Sequence, residues 1–306
     1  MNTKKDIGMT TDINPQWQSW KCRCSSISKI MANSKENAPL TEIQEKRLLE
    51  LDEKANAGNI TEKQGIELTA LIQKRGKSRV VVLSDTCISY LVEAYAWETE
   101  QMCSITKEMD VEYFERGRKT EPESIELLSF VDDRPCIKNE ERYENDFLSG
   151  IPDVIGLYRV EQEFPLAYSV TDIKSCRDYP MFLYKMHKGL DAGNAEQLMG
   201  YGDILECGNL AVAFTLPTMP QSIREGYKIK LAYKMNAAID QDKEFEKAWA
   251  NLERSMIFDH MPPEKRVYKI QVSPFTPSEQ AAVYERVKVC REWLDNFHRQ
   301  YLKLNK

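Results

Sequence analysis

Apolar residues return at helical spacing through the first half of the chain. In the second half they alternate or run together over short stretches. Between positions 40 and 75 the pattern is duplicated. Thr41-Glu42-Ile43-Gln44 recurs as Thr61-Glu62-Lys63-Gln64, and Leu48, Leu51 and Lys54 recur as Leu68, Leu71 and Lys74, each 20 positions on. Each unit opens with Thr at the N-cap and Gln at N3, a capping box, followed by leucines on one helical face. Asn56-Ala57-Gly58-Asn59 separates the units and places Gly58 where a helix ends. The expectation is a helical hairpin, since two copies are too few for a solenoid. Ser84-Asp85 then caps a further helix through Tyr90, Leu91, Ala94 and Trp97. Beyond residue 140 the period shortens, and 144–148, 153–158 and 167–173 read as successive strands. Gly150 and Pro152 mark the first turn, and Glu161-Gln162-Glu163 the second. A helix over 194–205 follows, then a buried strand over 210–216 and another over 266–272. Thr276-Pro277-Ser278-Glu279 caps a closing helix, with Pro at N1 and Glu at N3. The order predicts the α/β (α+β) class, a central mixed sheet flanked by helices.

Composition narrows the function. The chain has 306 residues, enough for one large domain over 16–306, with the hairpin 40–75 inserted and the helix 277–303 closing it. Residues 1–15 read as a polar, flexible tail. No apolar run is long enough for a membrane helix, and the first residues lack the apolar core of a secretory signal. The 8 cysteines are scattered, which points to reduced thiols in a cytoplasmic compartment. Cys22 and Cys24 are too close for a metal knuckle, and distant Cys290 supplies no second half. His187, His260 and His298 stand beside no plausible nucleophile, and no Gly-rich phosphate loop is present. The balance of 42 Lys+Arg against 48 Asp+Glu, a net charge of −6, argues against a surface that binds nucleic acid everywhere. Basic residues are instead local: at 75–79, at 116–119, and at Arg177 with Lys185 and Lys188. The first of these follows the hairpin, which is read as a lid or oligomer contact or as a nucleic-acid-facing arm.

The informative stretch is Gly150-Ile151-Pro152-Asp153 followed by Asp172-Ile173-Lys174. Asp153 opens one predicted strand and Asp172 ends its neighbour. Strand alternation puts Asp172 and Lys174 on one face and turns Ile173 into the core. Paired strands would bring two carboxylates and an ammonium together, an arrangement suited to a hard divalent cation. With an ordered water, such a group can hydrolyse a phosphodiester. Context carries this reading, because Asp52-Glu53-Lys54 spells the same Asp-x-Lys pattern in a predicted helix.

With Pro152-Asp153 and Asp172-Ile173-Lys174 in successive strands, the sequence resembles the PD-(D/E)XK nuclease superfamily. Two further motifs extend the resemblance to phage-type exonucleases, the lambda exonuclease and YqaJ-like viral recombinase group. Gly117-Arg118-Lys119-Thr120-Glu121-Pro122 looks like their Gly-x-x-x-Glu-Pro signature. Gln197-Leu198-Met199-Gly200-Tyr201 looks like the Gln-x-x-x-Tyr motif of RecB-like nucleases. The second Gln-x-x-x-Tyr, Gln280 to Tyr284, is set aside because it does not follow the Asp-x-Lys strand. The resemblance spans about residues 116–201.

It implies a restriction-endonuclease-like core in which Asp153, Asp172 and the backbone carbonyl of Ile173 hold Mg²⁺ or Mn²⁺, with Glu121 completing the acidic cluster. Lys174 would orient a water, and Gln197 and Tyr201 would support the site. Arg23-Cys24-Ser25-Ser26 resembles the segment with which such exonucleases hold a 5′-phosphate, which makes Arg23, Ser25 and Ser26 candidate DNA ligands. Arg116, Arg118, Lys119 and Arg177 are expected on the DNA backbone. Tyr179, Phe182 and Tyr184 either stack on bases or pack against the sheet. The implied substrate is a linear duplex end digested 5′ to 3′, in a ring-shaped homo-oligomer (a trimer in the family), with a single-strand annealing protein as partner. Two alternatives stand. One is another nuclease of the superfamily, an endonuclease or a CRISPR-adaptation enzyme, though the four-cysteine cluster usual in the latter is not spelled here. The other is a catalytically silent DNA-binding protein of the same fold. Asp172 stands where many members have Glu, which leaves the choice of metal open.

Overall fold

The computed structural model describes residues 15–32, 40, 42–77, 82–103, 111–157, 167–239 and 242–304. The polar tail up to position 14, the Thr41 cap, Ser78 and Arg79 of the first basic run, Tyr158 and the loop Glu161-Gln162-Glu163 lie outside those residues. Internal packing divides the chain into two compact units, Met1–Ser28 with Met102–Lys306, and Lys29–Gln101.

The N-terminal segment runs through α1 (Pro15–Gln18), β1 (Cys22–Arg23), a 3-10 turn (Cys24–Ser26) and α2 (Ile27–Met31). The smaller unit contains α3 (Glu42–Asn56), α4 (Glu62–Lys77) and α5 (Asp85–Glu100). The duplicated leucines explain its hairpin. Leu48 and Leu51 of α3 meet Leu71 of α4 in one buried cluster, with Leu40 inside it and Leu68 against it. Gly58 takes a φ of 71°, and the Asn59 N–H closes the helix end on the Lys54 carbonyl at 2.9 Å. Thr61 and Gln64 exchange both bonds of the expected capping box. Arg47 lays its guanidinium across Glu67 at 3.1 and 3.0 Å, a fork that joins the two helices. The Ser84 hydroxyl accepts from the Cys87 N–H, as its N-cap position requires.

The larger unit continues with α6 (Val111–Val131), β2 (Tyr143–Glu144), β3 (Leu148–Gly150), β4 (Val154–Leu157) and β5 (Ala167–Ser175). Next come α7 (Tyr179–Lys188), α8 (Ala192–Ile204), β6 (Leu210–Thr215), α9 (Gln221–Met235), α10 (Lys243–Arg254), β7 (Val267–Val272) and α11 (Pro277–Leu304). Among the described residues β4-β5-β6-β7 form one mixed sheet, antiparallel, parallel and antiparallel in turn. A smaller sheet, β1-β3-β2, runs beside it in sequence. Every residue of β6 is buried, as an unbroken Leu-Ala-Val-Ala-Phe-Thr run in an inner strand requires. β5 runs on past Asp172 to Ser175, because β6 pairs with it as far as Thr215. One face of the sheet packs on α6, where Ile125 and Leu128 meet Val154, Ile173 and Ala213. The mixed α/β architecture with helices on the sheet is the class the element order predicts.

Helices α7, α9 and α10 have no counterpart in the strand-and-helix pattern read from the sequence. α9 and α10 bury Ala232, Phe245 and Trp249 against each other, apart from the sheet, in a satellite cluster with Met219 and Met256. Phe245 and Trp249 are four apart, so one helical face carries both.

Candidate active site

Strand register sets the centre of the site. Val154 pairs with Thr171, so Asp153, one residue before β4, stands across from Asp172. The Asp153 Oδ2 accepts the Ile173 N–H at 2.7 Å, taking the place that a longer β4 would have filled. Ladder geometry sends the Ile173 carbonyl to the same side as its N–H, while its side chain enters the core under α6. Asp172 and Lys174 share the opposite face. Asp172 is only 1% exposed, and the Lys174 Nζ lies 2.8 Å from its Oδ2. That contact is close but poorly directed, and Oδ2 has no well-aligned donor.

The helix α8 covers this face. Gln197 Nε2 donates to Asp172 Oδ1 at 3.3 Å and to the Tyr201 hydroxyl at 2.9 Å. The i, i+4 spacing places both side chains where one amide can bridge carboxylate and phenol. Two glycines allow α8 to come this close. A Cβ on Gly150 would overlap the Tyr201 ring, and one on Gly200 would meet Ile27 Cδ1 at 2.6 Å and Cys24 Sγ at 3.0 Å. The Pro152-Asp153 segment is held from behind by Asn139, which donates its side-chain amide to the Pro152 carbonyl and its N–H to the Asp153 carbonyl, at 2.9 and 2.8 Å.

The electrostatics follow from burial. Loss of solvent, and then the Asp172 charge, push the Asp153 carboxyl up to about 7. Burial also raises Asp172, held back by the Lys174 ammonium and by a hydrogen bond from Asp153. Burial pulls Lys174 down, but the two aspartates outweigh it and leave its pKa above the ordinary lysine value. Burial raises the Tyr201 phenol, so it stays neutral.

These groups fit a hard divalent cation. Two buried carboxylates that resist ionising together, one with an oxygen lacking an aligned donor, gain most from a positive charge between them. Asp153, Asp172 and the Ile173 carbonyl would hold it. Among the described residues no three His, Cys, Asp or Glu side chains gather into a metal-binding group. Glu121, on α6 immediately before the in-helix Pro122, is instead paired with Lys138 at 2.8 Å. It reaches Asp153 only through its charge. Mg²⁺ retains several waters and is commonly held by one or two carboxylates plus phosphate oxygens, so two aspartates meet its need.

The candidate DNA ligands are placed unequally. β1 runs parallel to β3 with Arg23 opposite Ser149, which brings the N-terminal segment to the strand that leads into Pro152-Asp153. Arg23 and Ser25 are exposed there, whereas Ser26 is buried at 5%. Arg118 and Lys119 are exposed on α6, with Lys119 3.7 Å from Glu115. Arg116 lies close enough to Asp178 to lower its pKa, and exposed Arg177 pairs with that same Asp178 at 2.9 Å. Lys138 and Asn139 escape sequence reasoning because they lie in a run of polar residues without period.

No protein-family model matches the sequence, and no curated protein is similar enough to count as a relative. Solved structures do match. A phage-related exonuclease from Haemophilus somnus 129PT superposes with a TM-score of 0.55 at 18% identity, covering 92% of this chain and 97% of its own. An alkaline exonuclease from Laribacter hongkongensis superposes with a TM-score of 0.49 at 9% identity, over 95% of this chain and 100% of its own. The chain therefore shares, over nearly its whole length, the fold of a phage-related exonuclease.

Proposed function

We propose that the protein is a metal-dependent deoxyribonuclease that digests linear double-stranded DNA from a 5′ end, as in phage-type recombination. The observation that carries this is Asp153 facing Asp172 across two strands, with Lys174 and Gln197 on the same carboxylate. Mg²⁺ or Mn²⁺, held by Asp153, Asp172 and the Ile173 carbonyl, would supply Lewis-acid activation of water and of the scissile phosphate. Lys174 reaches the Asp172 carboxylate and is partly open to solvent, so its ammonium can hold a water and a phosphate oxygen together. Gln197 keeps Asp172 in place, and Tyr201 keeps Gln197 in place. Glu121 would act at longer range, bound to Lys138 until substrate or cation draws it in. Arg23 and Ser25 would receive the 5′-phosphate, and Arg116, Arg118, Lys119 and Arg177 the neighbouring phosphates. Ser26 would serve from within the fold.

Residues 16–306 are read as one nuclease domain carrying the hairpin 40–75. The motif resemblance supports a ring-shaped homo-oligomer and a single-strand annealing partner, and we place the protein in the cytoplasm. No described helix is long and apolar enough to cross a membrane.

The test offers 5′-phosphorylated linear duplex and closed circular DNA with each metal, alongside Lys174→Ala. The expected result is metal-dependent loss of the linear substrate alone, abolished in the variant. Equal cutting of circles would replace the exonuclease by an endonuclease of the same superfamily. Inertness toward all DNA with both metals would favour a silent DNA-binding protein.

A further inference from the structure

The helix α7 has a peculiar surface. Only Phe182 is fully buried, and it anchors the helix to the body of the unit. On the outward side lie Pro180, Leu183, Tyr184, His187 and Lys188, with Leu183 44% and Tyr184 50% exposed. A soluble helix ordinarily turns polar side chains to water on that side. Here Leu183 and Tyr184 stand next to each other in the open, and Tyr179, Met181 and Met186 of the same helix are exposed as well.

Position and charge say what such a surface is for. α7 begins five residues after Lys174, behind an Asp178 cap that binds the Met181 N–H at 2.8 Å. It lies on the Asp172 face of the sheet. Phe214 is the register partner of Lys174, and the Lys185 Nζ sits 5.5 Å from the Phe214 ring centroid. From 177 to 188 there are three cations, Arg177, Lys185 and Lys188, against one carboxylate, Asp178. That carboxylate is engaged by Arg177. The Lys188 Nζ lies 5.6 Å from the Tyr184 ring centroid, next to the exposed ring. Lys185 lies 3.6 Å from Asp191, so the ammonium left beside the exposed ring is that of Lys188, which an apolar protein partner would leave unmatched. An unpaired nucleotide has a flat π face for Tyr184 and Leu183 and a phosphate for Lys188.

We propose that the outward face of α7 is a platform on which unpaired bases of a DNA strand end stack beside the candidate active site. The inference rests on the nuclease reading for its purpose, but its binding claim is tested separately. Duplex DNA has its bases already stacked, so the platform selects a frayed or single-stranded end.

The experiment uses the full chain without divalent cations, so that binding is read without hydrolysis. Its probes are a fluorescent 5′-phosphorylated single-stranded oligonucleotide, the same strand with abasic sites, and a blunt duplex. Tyr184→Ala should weaken single-strand binding about tenfold, the scale of one lost base stack. Tyr184→Phe should restore it. The abasic strand should bind the wild type as poorly as the intact strand binds Tyr184→Ala, and the blunt duplex should not change. Equal single-strand binding by wild type and Tyr184→Ala overturns the proposal. So does a change in oligomeric mass, by light scattering, with DNA binding intact, because α7 would then cover another copy. The nuclease reading fails on a different result, a wild type inert with both metals, and that result leaves a Tyr184-dependent binding face standing.

Discussion

The chain writes Asp-x-Lys twice, and the two copies behave in opposite ways. Asp52-Glu53-Lys54 lies on α3, where all three residues are exposed. Asp172-Ile173-Lys174 lies on β5, where the aspartate is sealed from solvent and the isoleucine enters the core. Residues two apart on a helix point about 200° from each other, whereas on a strand they share a face. The same Asp-x-Lys spacing therefore makes surface decoration in one place and an ion pair on one side of a sheet in the other.

The Gln-x-x-x-Tyr pairs teach a second lesson. Gln197 donates to Tyr201 on α8, and Gln280 donates to Tyr284 on α11, each four positions on. Each pair also grips an aspartate. Gln197 binds Asp172, while Gln280 and Tyr284 both bind Asp203, with the Tyr284 bond at 2.7 Å. Asn145 joins the second group at 2.9 Å. Spacing decides that glutamine and tyrosine act together, and packing decides on which carboxylate. The pair set aside in the sequence ties the closing helix to the end of α8, two residues beyond Tyr201.

The largest contrast should come from the two lysines. Lys174→Ala is expected to lower kcat about 10³-fold, the scale of losing a positioned charge at a reacting phosphate. Lys54→Ala should stay within twofold of wild type in the same assay. Comparable losses at both sites would remove the distinction between strand and helix copies.

The two glutamine pairs should separate function from stability. Gln197→Ala is expected to reduce kcat about tenfold at nearly unchanged Tm. Asp203→Ala strands the donors of Asn145, Gln280 and Tyr284, and is expected to cost about 2 kcal/mol of stability. Its kcat per folded molecule should change less than that of Gln197→Ala. The reverse ranking would show that Gln280 and Tyr284 were set aside wrongly.

The last contrast lies in pH and sharpens the role of burial. With its carboxyl near 7 when folded and about 4 when unfolded, Asp153 keeps a proton that the unfolded chain has already released. The folded state then binds more protons between about pH 4 and 7, so stability falls as pH rises through that window. Asp153→Asn keeps an oxygen for the Ile173 N–H and removes the charge. Its Tm should exceed wild type at pH 8 and match it at pH 4, by differential scanning fluorimetry. Mn²⁺ should raise the Tm of wild type at pH 8 and leave Asp153→Asn unmoved. A wild type whose Tm climbs from pH 4 to 7 would show that the pair is hydrated and not buried.

Much of this was legible because it is local. The hairpin followed from leucines repeated at 20, the helix ends from Gly58, Ser84 and Thr276, and the shared face of Asp172 and Lys174 from alternation. The sequence by itself determined periods, caps and the shared face of Asp172 and Lys174, since these depend on backbone geometry a few residues long, whereas the strand expected over 144–148 is broken into β2 and β3 by a turn that Asn145 holds. Only the tertiary structure decided which distant groups meet. The β4–β5 register set Asp153 opposite Asp172, Lys138 paired with Glu121, and Ser26 was buried while Ser25 was left outside. α7 was placed on the Asp172 face, and its apolar outward surface was left open. Those choices are made by packing between segments far apart in the chain, and no local pattern carries them.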